Sequence, residues 1–192
     1  MTDLPLFPLG TVLFPGGLLP LRLFEQRYLE MAKACLRDGT PFGVCLIREG
    51  AEVGAPATPE PVGCTARIAQ WDMQQLGLLQ IVAHGEQRFR ILERQLQDDG
   101  LARARVELLP PETDEPVPER HAACPQLLER LAAEHGERVF ARPWHLDSSA
   151  WVSARLAEIL PLPKALKQQM LELDDSVQRL EILQRYLSDL NR

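Results

Sequence analysis

The sequence predicts an α+β fold, in which a small twisted, barrel-like sheet with one early helix is followed by a bundle of helices. Three observations support this class. Before residue 110, short β-like runs alternate with turn residues, whereas apolar residues recur at helical spacing after it. A proline-rich segment, residues 110–118, separates the two patterns. We therefore expect a β-rich subdomain at residues 1–110 and a helical subdomain at residues 119–192.

The first segment of the chain is expected to form short strands. Its prolines exclude an uninterrupted helix and restrict strands to short, bent or edge positions. We predict strands near residues 4–6, 11–14 and 18–23, with a turn at Pro15-Gly16. The prolines are Pro5, Pro8, Pro15 and Pro20. The side chains expected in the core are Phe7, Phe14, Leu21 and Phe24.

Residues 24–37 switch to helical spacing, and Asp38-Gly39 ends the predicted helix because glycine favours the position after a last turn. Its predicted apolar face comprises Tyr28, Met31, Ala32, Cys35 and Leu36. Further β segments follow, interrupted by a loop at residues 49–61 and by turns near residues 75–77 and 98–100. These five strands are predicted at residues 42–48, 63–74, 76–84, 85–97 and 101–109, and they follow the three predicted before the helix.

Helices are predicted beyond the proline-rich segment, which is expected to be an extended, solvated linker. Pro125 suits the first turn of a helix that ends near residue 135. Ser148 or Ser149 can cap the next helix, which runs to Leu160.

Two more helices complete the predicted bundle. Residues 164–171 are expected to form a short one, and Asp175 with Gln178 resembles the capping box that opens a last helix. The apolar stripe of that helix consists of Val177, Leu180, Leu183, Leu187 and Leu190.

Composition argues against two classes of partner. The chain has 192 residues, with 21 Lys+Arg, 27 Asp+Glu and a formal net charge of −6. Neither half is basic, so nucleic acid binding by phosphate neutralisation is not expected. No apolar run approaches the ~20 residues that span a bilayer. No basic segment precedes an apolar one at the N-terminus, so no signal peptide is indicated, and a cytoplasmic location without membrane contact is expected.

The residues that carry chemistry predict neither a metal site nor a cofactor. No two cysteines form a C-x-x-C pair, and the four histidines lack metal-ligand spacing. Motifs for ATP, dinucleotides and α/β-hydrolase nucleophiles are absent. The cysteines are Cys35, Cys45, Cys64 and Cys124, and they are interpreted as structural rather than catalytic.

One constellation suggests catalysis, the run from His145 through Asp147 to Ser148 and Ser149. Neighbours in the chain rarely supply the geometry of a catalytic triad, and capping of the following helix explains Asp147 and Ser148. His84 could instead act as a general base at a strand end. No reaction follows from these residues, and no catalytic residue is assigned.

A long block, Leu4-Pro-Leu-Phe-Pro-Leu-Gly-Thr-Val-Leu-Phe-Pro-Gly-Gly-Leu-Leu-Pro-Leu-Arg-Leu-Phe-Glu-Gln-Arg-Tyr-Leu-Glu-Met31, resembles the opening of the Lon protease N-terminal substrate-binding domain. Further segments match that family in order: Phe42-Gly-Val44, Gly63–Ile68, Gly85–Ile91 and the helical tail from Ala157 to Leu183. The resemblance implies a PUA-like β pseudobarrel with one early helix, followed by a C-terminal helical bundle, together one Lon N-terminal domain.

The same resemblance implies a function, the engagement of unfolded or extended protein segments. The ATPase and peptidase modules of a full Lon protease do not follow within the 192 residues, so we expect a non-catalytic, stand-alone recognition module. An ATP-dependent protease is a possible partner, and the oligomeric state is not predicted. The alternatives are an RNA-binding PUA-like module, by analogy of fold alone, and an uncharacterised small-molecule enzyme.

Three residues are candidates for client contact. Trp71 lies between polar neighbours in a predicted strand, so among the three tryptophans, which include Trp144 and Trp151, it is the one expected to be exposed. Arg27 is expected to pair with a carboxylate, either structurally or in a cleft. Phe24 precedes the first helix. The binding hypothesis predicts an exposed apolar patch or an open sheet edge around such residues.

Overall fold

The computed structural model describes residues 2–75, 77–135, 140 and 142–190, which divide into two compact units, residues 1–110 and 111–192. The described residues of the first unit form six strands and one helix. The strands are β1 (Thr2–Leu9), β2 (Leu18–Leu23), β3 (Phe42–Glu49), β4 (Thr58–Gln75), β5 (Leu78–Leu96) and β6 (Ala102–Leu108). The helix, α1, spans Gln26–Asp38 between β2 and β3.

Five of these strands close into a ring. β1 pairs with β3 in parallel and with β6 in antiparallel orientation, while β3–β4, β4–β5 and β5–β6 are antiparallel pairs. β2 lies outside the ring and pairs with the first part of β5, from Leu18 opposite His84 to Leu23 opposite Leu79. The barrel-like sheet predicted from the sequence is therefore confirmed.

The two strands predicted at residues 76–84 and 85–97 are a single strand, β5, so the prediction of a break at residue 85 is wrong. Gly85 sits inside the strand, where a Cβ would lie 2.3 Å from the carbonyl oxygen of Phe14. Its amide donates to Gly17 O at 2.9 Å, and its carbonyl accepts from Gly16 N at 2.8 Å. The glycine thus permits close passage of another segment rather than ending the strand.

That passing segment corrects a second prediction, the strand at residues 11–14. Val12, Leu13 and Phe14 are buried, but they lie outside the six strands. Phe14 O accepts a hydrogen bond from Gly17 N at 3.0 Å, which closes the bend that Pro15-Gly16 predicted. Residues 12–14 are apolar because they are buried beside β5. A buried segment outside the strands has the same sequence pattern as a buried strand.

The predicted loop at residues 49–61 is shorter than expected, because β4 begins at Thr58. Pro59 lies opposite Ile47 at a point where the β3–β4 register shifts on both sides. A proline is tolerated at such an irregularity because its missing amide removes no regular ladder bond. Pro59, one of the residues that indicated a loop, therefore marks an irregularity within a strand pair.

Helix α1 confirms the predicted helix and its end, since Gly39 has φ +62° and donates its amide to Cys35 O. Tyr28, Met31, Ala32 and Cys35 are buried as expected. Leu36 was predicted on the same face, but it is exposed. In the expected core set, Phe7 and Phe14 are buried and Leu21 is partly buried. The core placement of Phe24 is wrong: the chain leaves β2 after Leu23, and the Phe24 ring is 54% exposed.

The second unit contains four helices within its described residues, preceded by a short 3₁₀ turn at Glu119–His121. Pro125 lies in the first turn of the first helix, and the side chain of Ser148 caps the second by accepting from Trp151 N at 2.9 Å. Asp175 Oδ1 accepts from Gln178 N at 2.9 Å at the start of the last helix. The helices are α2 (Ala123–His135), α3 (Ser149–Ile159), α4 (Lys164–Glu172) and α5 (Ser176–Leu190).

The proline-rich segment is largely exposed, as predicted, but it is not a free linker, because from residue 111 onward it is hydrogen-bonded to the helices of this unit. Ser149 N donates to Glu115 O at 2.9 Å, and Val117 N donates to Asp147 O at 2.8 Å. The carboxylate of Glu112 forms a two-pronged ion pair with Arg179, which is fully buried in α5. Prolines keep the segment extended, and some of its backbone groups pair with the bundle.

The described helices include none that combines the length and the apolar character needed to cross a bilayer.

Candidate functional site

Trp71 occupies the most open position of the three tryptophans, with 61% of its surface exposed, as the sequence predicted. It lies near the end of β4, in a cross-strand row with Ile81 of β5 and Leu21 of β2. This row and the two rows beside it line a groove of about 480 Å³. The groove therefore comprises residues 20–22, 70–72 and 80–82, three from each strand.

Phe24 lies in a second groove, of about 280 Å³, where β2 meets α1 and the loop at residues 50–57. The ring is largely exposed, and so is Val53 on the loop side, at 57%. The other lining residues are Phe7, Leu9, Pro20, Leu21, Arg22, Leu23, Glu25, Tyr28 and Glu52. The structure thus combines two predicted contact residues, Phe24 and Trp71, in grooves that share residues 20–22 of β2.

Val53 was not among the predicted contact residues. It sits in a run of small residues, Gly50-Ala-Glu-Val-Gly-Ala-Pro-Ala57, in which it is the largest apolar side chain. A bulky apolar residue in an otherwise small and flexible loop has no packing role within an amphipathic element. That contrast is the signal that could have identified it.

Strand β2 has β5 on one side and no other described strand on its second side. The open edge that the binding hypothesis predicted is therefore present, but Pro20 lies in its middle. A proline in an edge strand directs its ring nitrogen to solvent and removes one donor that an added strand would need. Arg22 adds a charge to the same edge, so side-chain contact in the grooves is favoured over strand addition.

The third predicted contact residue, Arg27, is buried in the first turn of α1, with only 8% of its surface exposed. It pairs with Glu25 at 2.8 Å, as the sequence suggested it would with some carboxylate. Its guanidinium also donates to the carbonyls of Gly54, at 2.8 Å, and Gly100, at 3.2 Å. Tyr28 lies beneath it, with 4.7 Å from Arg27 Cζ to the ring centroid.

The charges that line the two grooves are mixed, with more acidic than basic residues. Arg22 carries a positive charge between them, while Glu25 and Glu52 lie in the Phe24 groove and Asp72 lies in the Trp71 groove. Burial raises the pKa of Tyr28, although the adjacent Arg27 opposes that rise, so the phenol is neutral at physiological pH. A surface that is apolar at its centre and mixed in charge at its rim suits a polypeptide better than a polyanion.

The catalytic alternatives are not supported by the geometry of the residues that suggested them. Ser148 Oγ donates to Asp114 at 2.8 Å and accepts from Trp151 N, which is a capping arrangement. His145 is exposed, and its ring lies edge-on to Trp151, with centroids 6.2 Å apart. His84 lies inside β5 rather than at a strand end, opposite Leu18 and Arg67.

The cysteines lie in the interior of the protein. All four thiols are free and buried. Burial raises the pKa of Cys35, Cys45 and Cys124, which keeps these thiols protonated and unreactive. The described residues contain no cluster of His, Cys, Asp and Glu that could hold a metal ion.

Comparison with known proteins identifies the family. Residues 3–189 match the model of the ATP-dependent protease La (LON) substrate-binding domain. The crystal structure of a Lon N-terminal domain protein from Xanthomonas campestris is 36% identical with a TM-score of 0.81, covering 97% of this chain and 99% of that one. The N-terminal domain of the Mycobacterium avium complex Lon protease has a TM-score of 0.67 at 19% identity, and it covers 98% of this chain and 99% of that one, which supports the fold alone.

The sequence relatives are much longer than this chain. The Lon protease of Anaeromyxobacter dehalogenans is 28% identical over 96% of this chain and 23% of its own length. Protein cereblon of Danio rerio is 31% identical over 56% of this chain and 26% of its own length. The matched region therefore spans about a quarter of the length of these curated relatives. Because the family model covers nearly all of its residues, the chain belongs to the Lon substrate-binding domain family.

Proposed function

We propose that this protein is a non-catalytic recognition module that binds unfolded or extended protein segments in the two grooves beside β2. The observation that carries the proposal is the exposure of two large aromatic side chains, Phe24 and Trp71, in adjacent grooves that share residues 20–22. Large aromatic side chains dominate the energetics of protein interfaces. A folded client hides its apolar side chains, so such a surface selects unfolded chains.

The proposed mode of binding uses side chains. Client residues with apolar side chains would cover the Phe24 ring, Val53 and the Trp71 indole. Burial stabilises the complex by about 25 cal/mol for each Å² of apolar surface removed from water. The client backbone has a secondary role, because Pro20 interrupts the hydrogen-bonding edge of β2. This mode requires no particular sequence, only extended chain with exposed apolar residues.

The family supplies the expected partner. Several relatives of this chain are Lon proteases, and we include in the proposal that an ATP-dependent protease receives the bound segments. A cytoplasmic location accompanies the proposal. Four free, buried thiols are consistent with a reducing compartment, since they need no protection from oxidation there.

The test is fluorescence anisotropy of a labelled, permanently unfolded protein, such as a reduced and carboxymethylated globular protein. Its native form is the first control, and a labelled mixed-sequence RNA is the second. We expect binding of the unfolded form alone. Trp71→Ala and Phe24→Ala are expected to weaken that binding by about tenfold each, as for interface hot spots.

Leu96→Ala is the matched control, because Leu96 is 59% exposed but lies outside both grooves. It should bind the unfolded client as tightly as the parent protein does. Equal binding of native and unfolded client contradicts the proposal, as does equal loss in the Trp71 and Leu96 variants. Selective binding of RNA would favour the alternative of an RNA-binding module.

A further inference from the structure

We infer that Arg27 is a positioning residue, which holds the loop at residues 50–57 against the Phe24 groove and acts on the client only through that loop. The inference rests on the proposed function for its client, but its structural half can be tested without one. It assigns to Arg27 a role different from direct contact. It also makes the loop, with Val53, the adjustable wall of the site.

The contacts of Arg27 are all directed inward. Nη2 donates to the carbonyl of Gly54 and pairs with Glu25, both at 2.8 Å, and Nη1 donates to Gly100 O at 3.2 Å. A client could reach little of this side chain, since 8% of its surface is exposed. The guanidinium fork therefore joins the start of α1 to two separate glycine turns.

The loop has little else to fix it. Residues 50–56 are exposed, and Ala57, at the end of the loop, is buried. Two further hydrogen bonds hold the loop: Glu52 Oε1 accepts from Gly10 N at 2.5 Å, and Arg94 Nη1 donates to Ala57 O at 2.9 Å. A segment with few buried apolar contacts opens at low free energy. Loss of the bond to Gly54 should therefore free the middle of the loop.

The middle of the loop is the part that meets the groove. Glu52 and Val53 line the Phe24 groove, and Gly54, the residue that Arg27 holds, follows directly. Gly54 has φ +95°, a conformation in which glycine is favoured, and in it the Gly54 carbonyl accepts from Arg27 Nη2. The position of Val53 in the lining of the Phe24 groove thus depends on a contact one residue away.

The first experiment is hydrogen–deuterium exchange of the parent protein, Arg27→Lys and Arg27→Met, with peptides that cover residues 50–57. Lysine keeps the charge but has no fork, so it should protect the loop only in part. We expect faster exchange in this loop for both variants, greater for Met, with β5 still protected. Unchanged exchange in residues 50–57 overturns the inference, whatever the protein binds.

The second experiment is a double-mutant cycle on binding of the carboxymethylated client. Arg27→Met should weaken binding about fivefold in the parent and also in the Trp71→Ala background, because Trp71 lies in the other groove. In the Val53→Ser background the same change should cost less than twofold, since the loop no longer offers its apolar contact. An equal loss in all three backgrounds overturns the inference and leaves the proposed function intact.

Discussion

The two units of the molecule differ in the apolar side chains that they expose. The helical unit, residues 111–192, buries charge: Arg155 and Arg179 are almost fully enclosed, and each pairs with a carboxylate. The barrel unit, residues 1–110, also buries charge, at Arg27 and Arg88, but in addition it exposes apolar surface. Within the described part of the chain, every exposed large hydrophobic side chain lies between Phe24 and Leu108.

This difference indicates where binding is to be sought. Arg179 contacts Glu112, Ser153 and Met170, three separate parts of the helical unit, so that unit uses its charges to fix its own packing. The barrel is already fixed by a continuous ladder of backbone hydrogen bonds and can present apolar side chains on its surface. An apolar surface on a rigid scaffold is typical of a recognition module.

The largest effect is expected from a substitution that removes the buried ion pair between Arg179 and Glu112 in the helical unit. Arg179→Met removes the guanidinium that pairs with the carboxylate of Glu112, which is only 10% exposed. Removing one member of a buried pair costs about 3–5 kcal/mol. Urea denaturation, followed by circular dichroism at 222 nm, should show this decrease in the free energy of unfolding.

The matched control is Arg105→Met, which removes a pair with Glu93 at 3.0 Å on the surface of the barrel. Both side chains of this pair are more than half exposed, so the free energy of unfolding is expected to fall by less than about 1 kcal/mol. Equal losses for the two variants would remove the distinction between the two units.

The second prediction concerns the close packing of the barrel. A Cβ on Gly63 would lie 2.4 Å from Val44 O and 2.7 Å from Cys45 Sγ, so Gly63→Ala should destabilise the protein by about 1–3 kcal/mol. Gly39→Ala is the comparison, because Gly39 has φ +62° but no atom within 4 Å of its Cβ position. That variant tests backbone strain alone and should cost about 1 kcal/mol. Thermal unfolding that ranks Gly39→Ala as the more damaging change would contradict the packing argument.

The sequence predicted the elements whose signals are local. The helical spacing of residues 24–37, the glycine that ends α1, and Ser148 as a cap depend on neighbours within a few residues. The exposure of Trp71 was also predicted in this way, because polar neighbours in a strand indicate a solvent face. The α+β class follows from such signals summed over the whole chain, whereas the family was suggested by the resemblance of its motifs to known ones.

The features that the sequence did not reveal depend on contacts between distant residues. Gly85 alone predicts a break between two strands. Only its contact with Phe14 shows that the glycine lies inside one strand. The role of Glu112 depends on Arg179, 67 residues away, and that of Arg27 on Gly54 and Gly100. A single sequence contains no signal for such pairs. Val53 differs from these pairs, because its contrast with the small residues around it is a local signal that the sequence does contain.

The third prediction uses pH to compare the interiors of the two units. Burial raises the pKa of the Cys45 thiol in the native barrel, while the unfolded value is about 8.5. Because the native state then holds its proton more tightly, the stabilisation is complete below pH 8.5 and is lost as pH rises above it. The free energy of unfolding should fall by about 1.4 kcal/mol per pH unit from this thiol alone.

The measurement is urea denaturation of the parent protein and Cys45→Ala between pH 7 and pH 10. The difference between the two free energies should be constant below pH 8 and shrink above it. Cys124→Ala provides the comparison in the helical unit, where burial raises the pKa in the same direction. Lys167, whose pKa burial lowers, acts with the opposite sign but is common to all three proteins. Parallel curves for the parent and Cys45→Ala would contradict the prediction.

The smallest expected effect concerns how the barrel surface holds a client. A peptide that binds in the grooves can be compared with its analogue N-methylated at alternate residues, which removes every second backbone donor. Pro20 lacks its own donor in the middle of the β2 edge, so regular strand pairing cannot form along it. We expect the analogue to bind within about threefold of the parent peptide, less than 1 kcal/mol.

Pro20→Val restores the missing donor at that edge and sharpens the same comparison. In this variant the unmethylated peptide should gain affinity, and the methylated one should not, because only the first can extend the sheet. A tenfold loss on methylation with the parent protein would instead identify β2 as a strand-addition site. In that case the specificity of the barrel would come from its backbone edge, and Phe24 and Trp71 would only line its path.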